Sequence, residues 1–133
     1  MEEQELTQKI IGCAMKVHSA LGPGFLESVY AKALAYELRN AGLKVECEKL
    51  ITVKYEGVVV GEFSADKLVG DKIMVEEKAV QAIVSAHEVQ LVNYLTATGI
   101  EVGLLLNFGA QSLEYKRKSR TYRQKEPPKD FVL

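Results

Sequence analysis

The sequence predicts a single α/β domain, residues 1–133, in which helices flank a mixed central β-sheet. Helical and strand-like segments follow one another in the order helix, helix, three strands, helix, two strands. The run at residues 102–108 is almost continuously apolar, which is typical of a strand buried on both faces. Helices must therefore cover each face of the sheet. A chain of 133 residues with 47% hydrophobic residues can bury such a core as one domain.

The first two elements are predicted to be helices. Gly22, Pro23 and Gly24 end the first helix, because proline and glycine continue a helix only at a cost. A second helix is expected from about Pro23 to about Ala41, with Gly42 as its C-terminal stop. The first helix has an apolar stripe whose members recur at intervals of three and four: Leu6, Ile10, Cys13, Ala14, Val17 and Leu21.

Strand-like segments separated by glycine-containing turns come next. Gly57 makes the first turn, Gly61 follows a short run of valines, and Gly70-Asp71 forms the turn of a hairpin. The segments are residues 43–55, 58–60, 63–69 and 72–79.

The third helix is predicted at residues 85–98. Ser85 and Glu88 fit a capping box, in which each side chain satisfies a free backbone donor of the first turn. Gly99 closes the helix. The remaining segments are the strands at residues 102–108 and 111–118 and a basic, proline-containing tail at 119–133.

Charged side chains cluster on the hairpin around Gly70-Asp71. Side chains alternate along a strand, so Glu76 and Lys78 project from one face and Glu77 from the other. Asp66, at the end of the preceding strand, is close enough across the hairpin to share the face of Glu76. Two carboxylates and an ammonium on one patch of sheet can hold a divalent cation beside a phosphate. The alternative is a strand-end acid next to a solvated ion pair on an edge strand.

The net charge of −1 argues against a protein that coats nucleic acid through charge alone. Residues 115–125 nevertheless contain six basic and no acidic side chains, a segment that either touches a phosphate backbone or is simply solvated. No apolar run is long enough to cross a membrane, and the acidic N-terminus does not fit a signal peptide, so the expected location is cytoplasmic. Cys13 and Cys47 are expected to be reduced, packing cysteines.

The segment Gly24-Phe-Leu-Glu27-Ser-Val-Tyr30 resembles the signature of the GxxExxY proteins, small prokaryotic members of the PD-(D/E)XK nuclease superfamily. The resemblance covers roughly residues 10–118. The motif Gln90-x-x-x-Tyr94 is similar to the one on the helix after the catalytic strand of RecB-type nucleases. The resemblance rests on an ordered set of elements: Glu27, Asp66, Glu76-x-Lys78, Gln90-x-x-x-Tyr94 and the segment 103–109.

This resemblance implies a restriction-endonuclease-like core and a phosphodiesterase dependent on Mg²⁺ or Mn²⁺, acting on nucleic acid and on DNA rather than RNA. Asp66 and Glu76 would ligate the metal, and the backbone carbonyl of Glu77 offers another oxygen ligand. Glu27 would reach the same site from the second helix, directly or through a water. Lys78 would orient or activate the attacking water and offset charge on the phosphate.

The resemblance also implies residues that contact the substrate, namely Gln90 and Tyr94 on the third helix together with Tyr30 and His87. Each has a structural alternative. Tyr30 and Tyr94 can be core aromatic residues with a hydroxyl at the rim, and His87 can cap its helix.

Two positions depart from the family pattern, because Glu77 and Lys67 stand where related sequences usually carry apolar residues. A buried lone carboxylate is costly, so Glu77 must be paired or lie near an edge. Two hypotheses remain open for the whole chain: a nuclease, or a non-catalytic module of the same fold that binds nucleic acid or a protein. A homodimer or a partner subunit would supply additional contact surface.

Overall fold

The computed structural model describes residues 1–121, so most of the tail at 119–133 lies outside the described residues. The described chain follows the predicted order of helices and strands. The elements are α1 (Glu3–Leu21), α2 (Glu27–Asn40), β1 (Val45–Tyr55), β2 (Val58–Val69), β3 (Ile73–Lys78), α3 (Ser85–Thr98), β4 (Val102–Asn107) and β5 (Glu114–Ser119).

The five strands form one sheet in the order β1-β2-β3-β4-β5. Neighbouring strands are antiparallel except for β3 and β4, which are parallel and are connected through α3. A parallel pair needs such a crossover, because a short turn can join only antiparallel strands. The prediction of a mixed sheet is therefore confirmed.

Helices cover both faces of the sheet and divide the core into two layers. One layer packs α1 and α2 against the sheet, with Leu34, Val75 and Leu104 among its fully buried members. The other packs α3 against the opposite face through Leu91 and Leu95. Every residue of β4 is buried, as expected of a strand covered on both sides.

The β1–β2 hairpin is longer than the part of it that joins the rest of the sheet. β2 runs without a break through Gly61, although the sequence suggested separate segments. It pairs with β3 only from Lys67 to Val69, so the outer part of the hairpin (residues 50–64, the hairpin arm) extends past β3. The inner side of this arm packs on α3, where Ile51 joins the cluster of Leu91 and Leu95.

The start of α2 and the N-cap of α3 differ from the prediction. α2 begins at Glu27 rather than near Pro23, because Gly22 and Gly24 have φ angles of 69° and 116° that no helix allows. The predicted capping box at Ser85 is wrong: Val84 is the N-cap residue, and its N–H donates to Nδ1 of His87 at 3.1 Å.

The N-cap of α3 is thus one residue earlier than predicted, although the helix spans the predicted residues, and Glu88 lies one position too far along the helix to complete the box. The Glu88 carboxylate instead accepts a bond from Nζ of Lys118 on β5 at 3.0 Å. Within residues 1–121, none of the helices combines the length and the apolar character that crossing a bilayer requires.

Candidate active site

Backbone pairing of β2 with β3 ends at the pair Lys67–Val75, and the point where the two strands separate is called the fork. At the fork, two side-chain carboxylates accept hydrogen bonds from the backbone in place of strand pairing. The N–H of Asp66 donates to Oε2 of Glu76 at 2.8 Å. In return, the N–H of Glu77 donates to Oδ2 of Asp66 at 2.8 Å. Each bond engages one oxygen of a carboxylate, so a second oxygen of Asp66 and of Glu76 can still ligate a cation.

The regular alternation of β2 is interrupted at the fork. Ala65 packs in the layer of α3, whereas Lys67, two residues later, pairs with Glu77 on the opposite face of β3. On the neighbouring strand, Glu48 stands opposite Asp66 with a φ of 53°. This local twist turns the Asp66 carboxylate toward the separated end of β3.

Burial makes the carboxylate pair electrostatically unfavourable. Glu76 is 6% exposed. Its burial, and then the charge of Asp66, raise its pKa from 4.5 to about 8, while the Lys78 ammonium opposes this rise. A positive ion between the two groups would remove their mutual repulsion and restore the ionised form of Glu76.

Lys78 and Glu27 complete the group from two different elements. Lys78 ends β3 on the face of Glu76, and its charge lowers the pKa of Glu27 as well as that of Glu76. Glu27 begins α2 and is exposed. Burial of its carboxyl, and then the charge of Asp66, raise its pKa above the ordinary value. The four predicted residues are therefore electrostatic neighbours.

The donor set fits Mg²⁺ or Mn²⁺ only in part. Within residues 1–121, no three side chains of His, Cys, Asp or Glu converge closely enough to form a ready-made metal site. Asp66 and Glu76 supply two hard oxygen ligands, which suits a metal that keeps several of its waters. Glu27 remains at the periphery, where it can act through a water.

The side chain of Glu77 points away from the carboxylate pair. It forms an ion pair with Lys67, and the two side chains are 0% and 2% exposed. The two departures from the family pattern thus pair with each other, which meets the requirement that a buried Glu77 find a partner. Lys67 holds Oε2 of Glu77, while Oε1 is buried without a hydrogen-bond partner among the described residues. The side chain lies on the face opposite Glu76, so the backbone carbonyl is the Glu77 group that could ligate a metal held by Glu76.

Two open spaces flank the fork. A cavity of about 1000 Å³ lies between α2 and the base of the hairpin and is bordered by Glu27, Asp66 and Glu77. A cleft of about 1040 Å³ lies between the hairpin arm and α3 and is bordered by Gln90 and Tyr94. Burial, followed by the charges of Glu76 and Asp66, raises the pKa of Tyr94, so its hydroxyl is close to the carboxylates. Gln90 and Tyr94 therefore face open space beside the fork.

Comparison with models of protein families identifies the superfamily of the chain. The sequence model of the PD-(D/E)XK nuclease superfamily matches residues 4–118, most of the chain. The chain belongs to the PD-(D/E)XK nuclease superfamily. The five-stranded mixed sheet flanked by helices is consistent with the restriction-endonuclease-like fold.

A solved structure supports the same fold. The crystal structure of SSO0001 matches with a TM-score of 0.59 at 18% identity, over 72% of this chain and 50% of that chain. This PD-(D/E)XK domain thus spans about half the length of that chain. A comparison with curated proteins finds no match.

Two of the expected substrate contacts have structural roles in this PD-(D/E)XK domain. Tyr30 is 0% exposed, and its ring stacks on Phe108 with centroids 4.9 Å apart. Its hydroxyl donates to the carbonyl of Gly22 and accepts the N–H of Phe25, so Tyr30 fixes the loop that leads into Glu27. The His87 ring accepts the N–H of the N-cap residue of α3. Both placements match the structural alternatives given above.

Sequence reasoning assigned no role to Asn107, which positions the segment after β3. Its Oδ1 accepts the N–H groups of Val80 at 2.9 Å and of Gly109 at 3.0 Å. Its Nδ2 donates to Oε1 of Glu114 at 2.9 Å, and the same oxygen accepts the N–H of Ile83. A polar residue at the end of an apolar buried strand is the signal that could have pointed to this position.

Proposed function

We propose that the protein is a nuclease, dependent on Mg²⁺ or Mn²⁺, that hydrolyses phosphodiester bonds of DNA in preference to RNA, with a site of the GxxExxY type. The observation that supports this most directly is the reciprocal pairing of Asp66 and Glu76 at the fork. A purely structural hairpin end would continue its backbone ladder rather than bury two neighbouring carboxylates. Lys78 next to this pair supplies the positive charge that a phosphodiester requires.

Each residue of the site has a different role in this proposal. Asp66 and Glu76 hold the metal, with the Glu77 carbonyl as a further oxygen ligand and Glu27 acting through a water. When bound, the metal supplies Lewis-acid polarisation of the phosphoryl oxygen and makes a bound water more acidic. Lys78 orients the attacking water and offsets negative charge on the phosphate.

Metal binding is the first test. We expect calorimetry to detect Mg²⁺ or Mn²⁺ binding to the wild-type protein and to show its loss in Glu76→Gln, whose amide accepts the same N–H but is a poor metal ligand. Glu62→Gln is the matched control, because Glu62 is an exposed carboxylate on the same strand as Asp66. Equal binding by Glu76→Gln and the wild type would place the cation elsewhere.

Cleavage is the second test. In the presence of Mn²⁺ or Mg²⁺, we expect Asp66→Asn and Lys78→Ala to lose at least about a hundredfold in rate, since each removes charge stabilisation at the reacting phosphate. Circular dichroism should show both variants folded. Parallel DNA and RNA substrates test the preference for DNA, and equal rates on both would contradict it.

A non-catalytic binding module is the second candidate. The lack of a ready-made metal cluster within residues 1–121 favours it. Exposed apolar residues at the tip of the hairpin arm, among them Tyr55 and Val58, would suit a partner subunit or a second copy. A nucleic-acid-binding module would bind nucleic acid without cleaving it at millimolar Mn²⁺. Analytical ultracentrifugation of the protein alone tests whether two copies form a dimer.

A further inference from the structure

The cleft between the hairpin arm and α3 has no acidic side chain among the described residues that line it, in contrast to the acidic fork beside it. Lys54 is the cation among these residues. The polar side chains are amides and hydroxyls, which offer both donors and acceptors.

An exposed aromatic ring and a half-buried one form a pair in this cleft. The rings of Phe63 and Tyr94 lie with their centroids 5.3 Å apart and their planes inclined by 37°. Phe63 is 42% exposed, so much of its ring faces solvent instead of the core. Gly61 gives the ring room, since a Cβ at that position would come within 3.3 Å of it.

The aromatic pair lies next to the fork. Phe63 precedes Asp66 by three residues on β2, and the Tyr94 hydroxyl is within the electrostatic reach of Glu76 and Asp66. A base stacked on these rings would therefore lie near the carboxylates. The amides of Gln90 and Asn93 border the same space, where they can reach the edge of a planar ring.

We propose that this cleft binds an unpaired nucleobase, stacked on Phe63 and Tyr94, so that the substrate is a single-stranded or frayed segment of nucleic acid. Bases inside a duplex are stacked on both sides and cannot offer a free face to an aromatic side chain. Stacking on aromatic residues is tolerant of sequence, because every base has a π-face. This inference rests on the proposed function, since it names the form of the substrate for the same site.

Binding in the absence of hydrolysis tests the inference. Fluorescence anisotropy in EDTA, with a labelled single-stranded oligonucleotide and its duplex, should show tighter binding of the single strand. We expect Phe63→Leu to weaken single-strand binding about tenfold or more, as loss of one stacked base implies. Phe63→Tyr should retain wild-type affinity, because it keeps the aromatic face.

Tyr55→Leu is the matched control, because Tyr55 is an exposed aromatic residue on the same hairpin outside the cleft. It should bind as the wild type does. Asn93→Ala, a change at an exposed position, is the second variant if Phe63→Leu fails to fold, and it should also weaken binding of the single strand. Unchanged affinity in Phe63→Leu, or in Asn93→Ala where that variant replaces it, would overturn the inference, as would equal affinity for the duplex.

The two proposals can fail separately. Single-strand binding that depends on Phe63, without cleavage in Mg²⁺ or Mn²⁺, would support this inference and contradict the nuclease. Metal-dependent cleavage of intact duplex at equal rates by the wild type and Phe63→Leu would support the nuclease and overturn this inference.

Discussion

The carboxyl of Glu76 is a weaker acid in the folded protein than an ordinary glutamate, because burial and the charge of Asp66 both disfavour its ionised form. Its pKa of about 8 lies above the ordinary value of 4.5. The protonated group therefore contributes stability that is fully present below pH 4.5 and is lost as the pH rises through 8. The metal-free protein thus becomes less stable over that interval.

We expect Glu76→Gln to stabilise the metal-free protein at pH 9 by roughly 2–4 kcal/mol and to leave it unchanged near pH 4. The glutamine carries no charge and can still accept the Asp66 N–H. Urea unfolding in EDTA at several pH values measures the difference. Glu62→Gln should show no such pH dependence, and a constant difference across the range would contradict the assignment of the titration to Glu76.

The ion pair of Lys67 and Glu77 gives a second prediction for single residues. Burial is the largest influence on the Glu77 pKa and raises it, and Lys67 opposes this rise. We expect Lys67→Met alone to cost about 3–5 kcal/mol at pH 8.5, because it leaves a buried carboxylate without its partner. The double variant Lys67→Met/Glu77→Leu should recover most of this loss, since apolar replacements of a buried pair are often neutral or stabilising.

Denaturant unfolding of the two single variants and the double variant measures the coupling free energy. Purely additive effects would mean that the two side chains act independently. Both double-variant positions lie on the face opposite Glu76, so metal binding should survive in the double variant.

At the scale of elements, Asn107 ties the end of β4 to the segment that connects β3 with α3. We expect Asn107→Ala to destabilise the protein by about 2–4 kcal/mol, because it leaves the N–H groups of Val80 and Gly109 without their acceptor. Hydrogen exchange of those two amides should accelerate more than exchange in α1. Asn93→Ala, at an exposed position, is the stability control, and equal effects of the two changes would refute a special role for Asn107.

Some features of these elements could be predicted from the sequence, and others could not. The convergence of Asp66 and Glu76 was predictable, because both lie on one hairpin with a short turn and side chains alternate along its strands. The partner of Glu77 was not predictable, since it depends on the strand register and on which face α2 covers. The start of α2 was misplaced because Pro23 suits a first helical turn, whereas the φ angles of its neighbours do not. The role of Phe63 depends on exposure, which a single sequence does not reveal.

At the scale of the whole molecule, the basic residues of β5 do not all lie on one face of the sheet. On β5, Lys116 and Lys118 stand opposite Leu105 and Gly103 of β4, while Arg117 stands opposite Leu104 and so faces the other layer. Lys118 is also engaged by Glu88. Phosphate contacts should therefore be few.

We expect a shallow salt dependence of single-strand binding, with a slope of log K against log salt of about −1.4 to −2.1, equivalent to two or three phosphate contacts. Anisotropy titrations between about 50 and 200 mM salt measure it in the range where such slopes are usually determined. A slope several times steeper would contradict a mode of binding in which stacking on Phe63 and Tyr94 matters more than charge.

The fork between β2 and β3 has a consequence for the order of folding. Asp66 and Glu76 are joined by a turn of a few residues, so their encounter requires the closure of only a short loop. Glu27 comes from a helix that precedes the whole hairpin arm, and it reaches the fork only after α2 has docked on the sheet. Contacts of short sequence separation generally form sooner than those that need long-range docking. We therefore expect the Asp66–Glu76 pair to form as a local event, and Glu27 to join the two carboxylates only once α2 has docked.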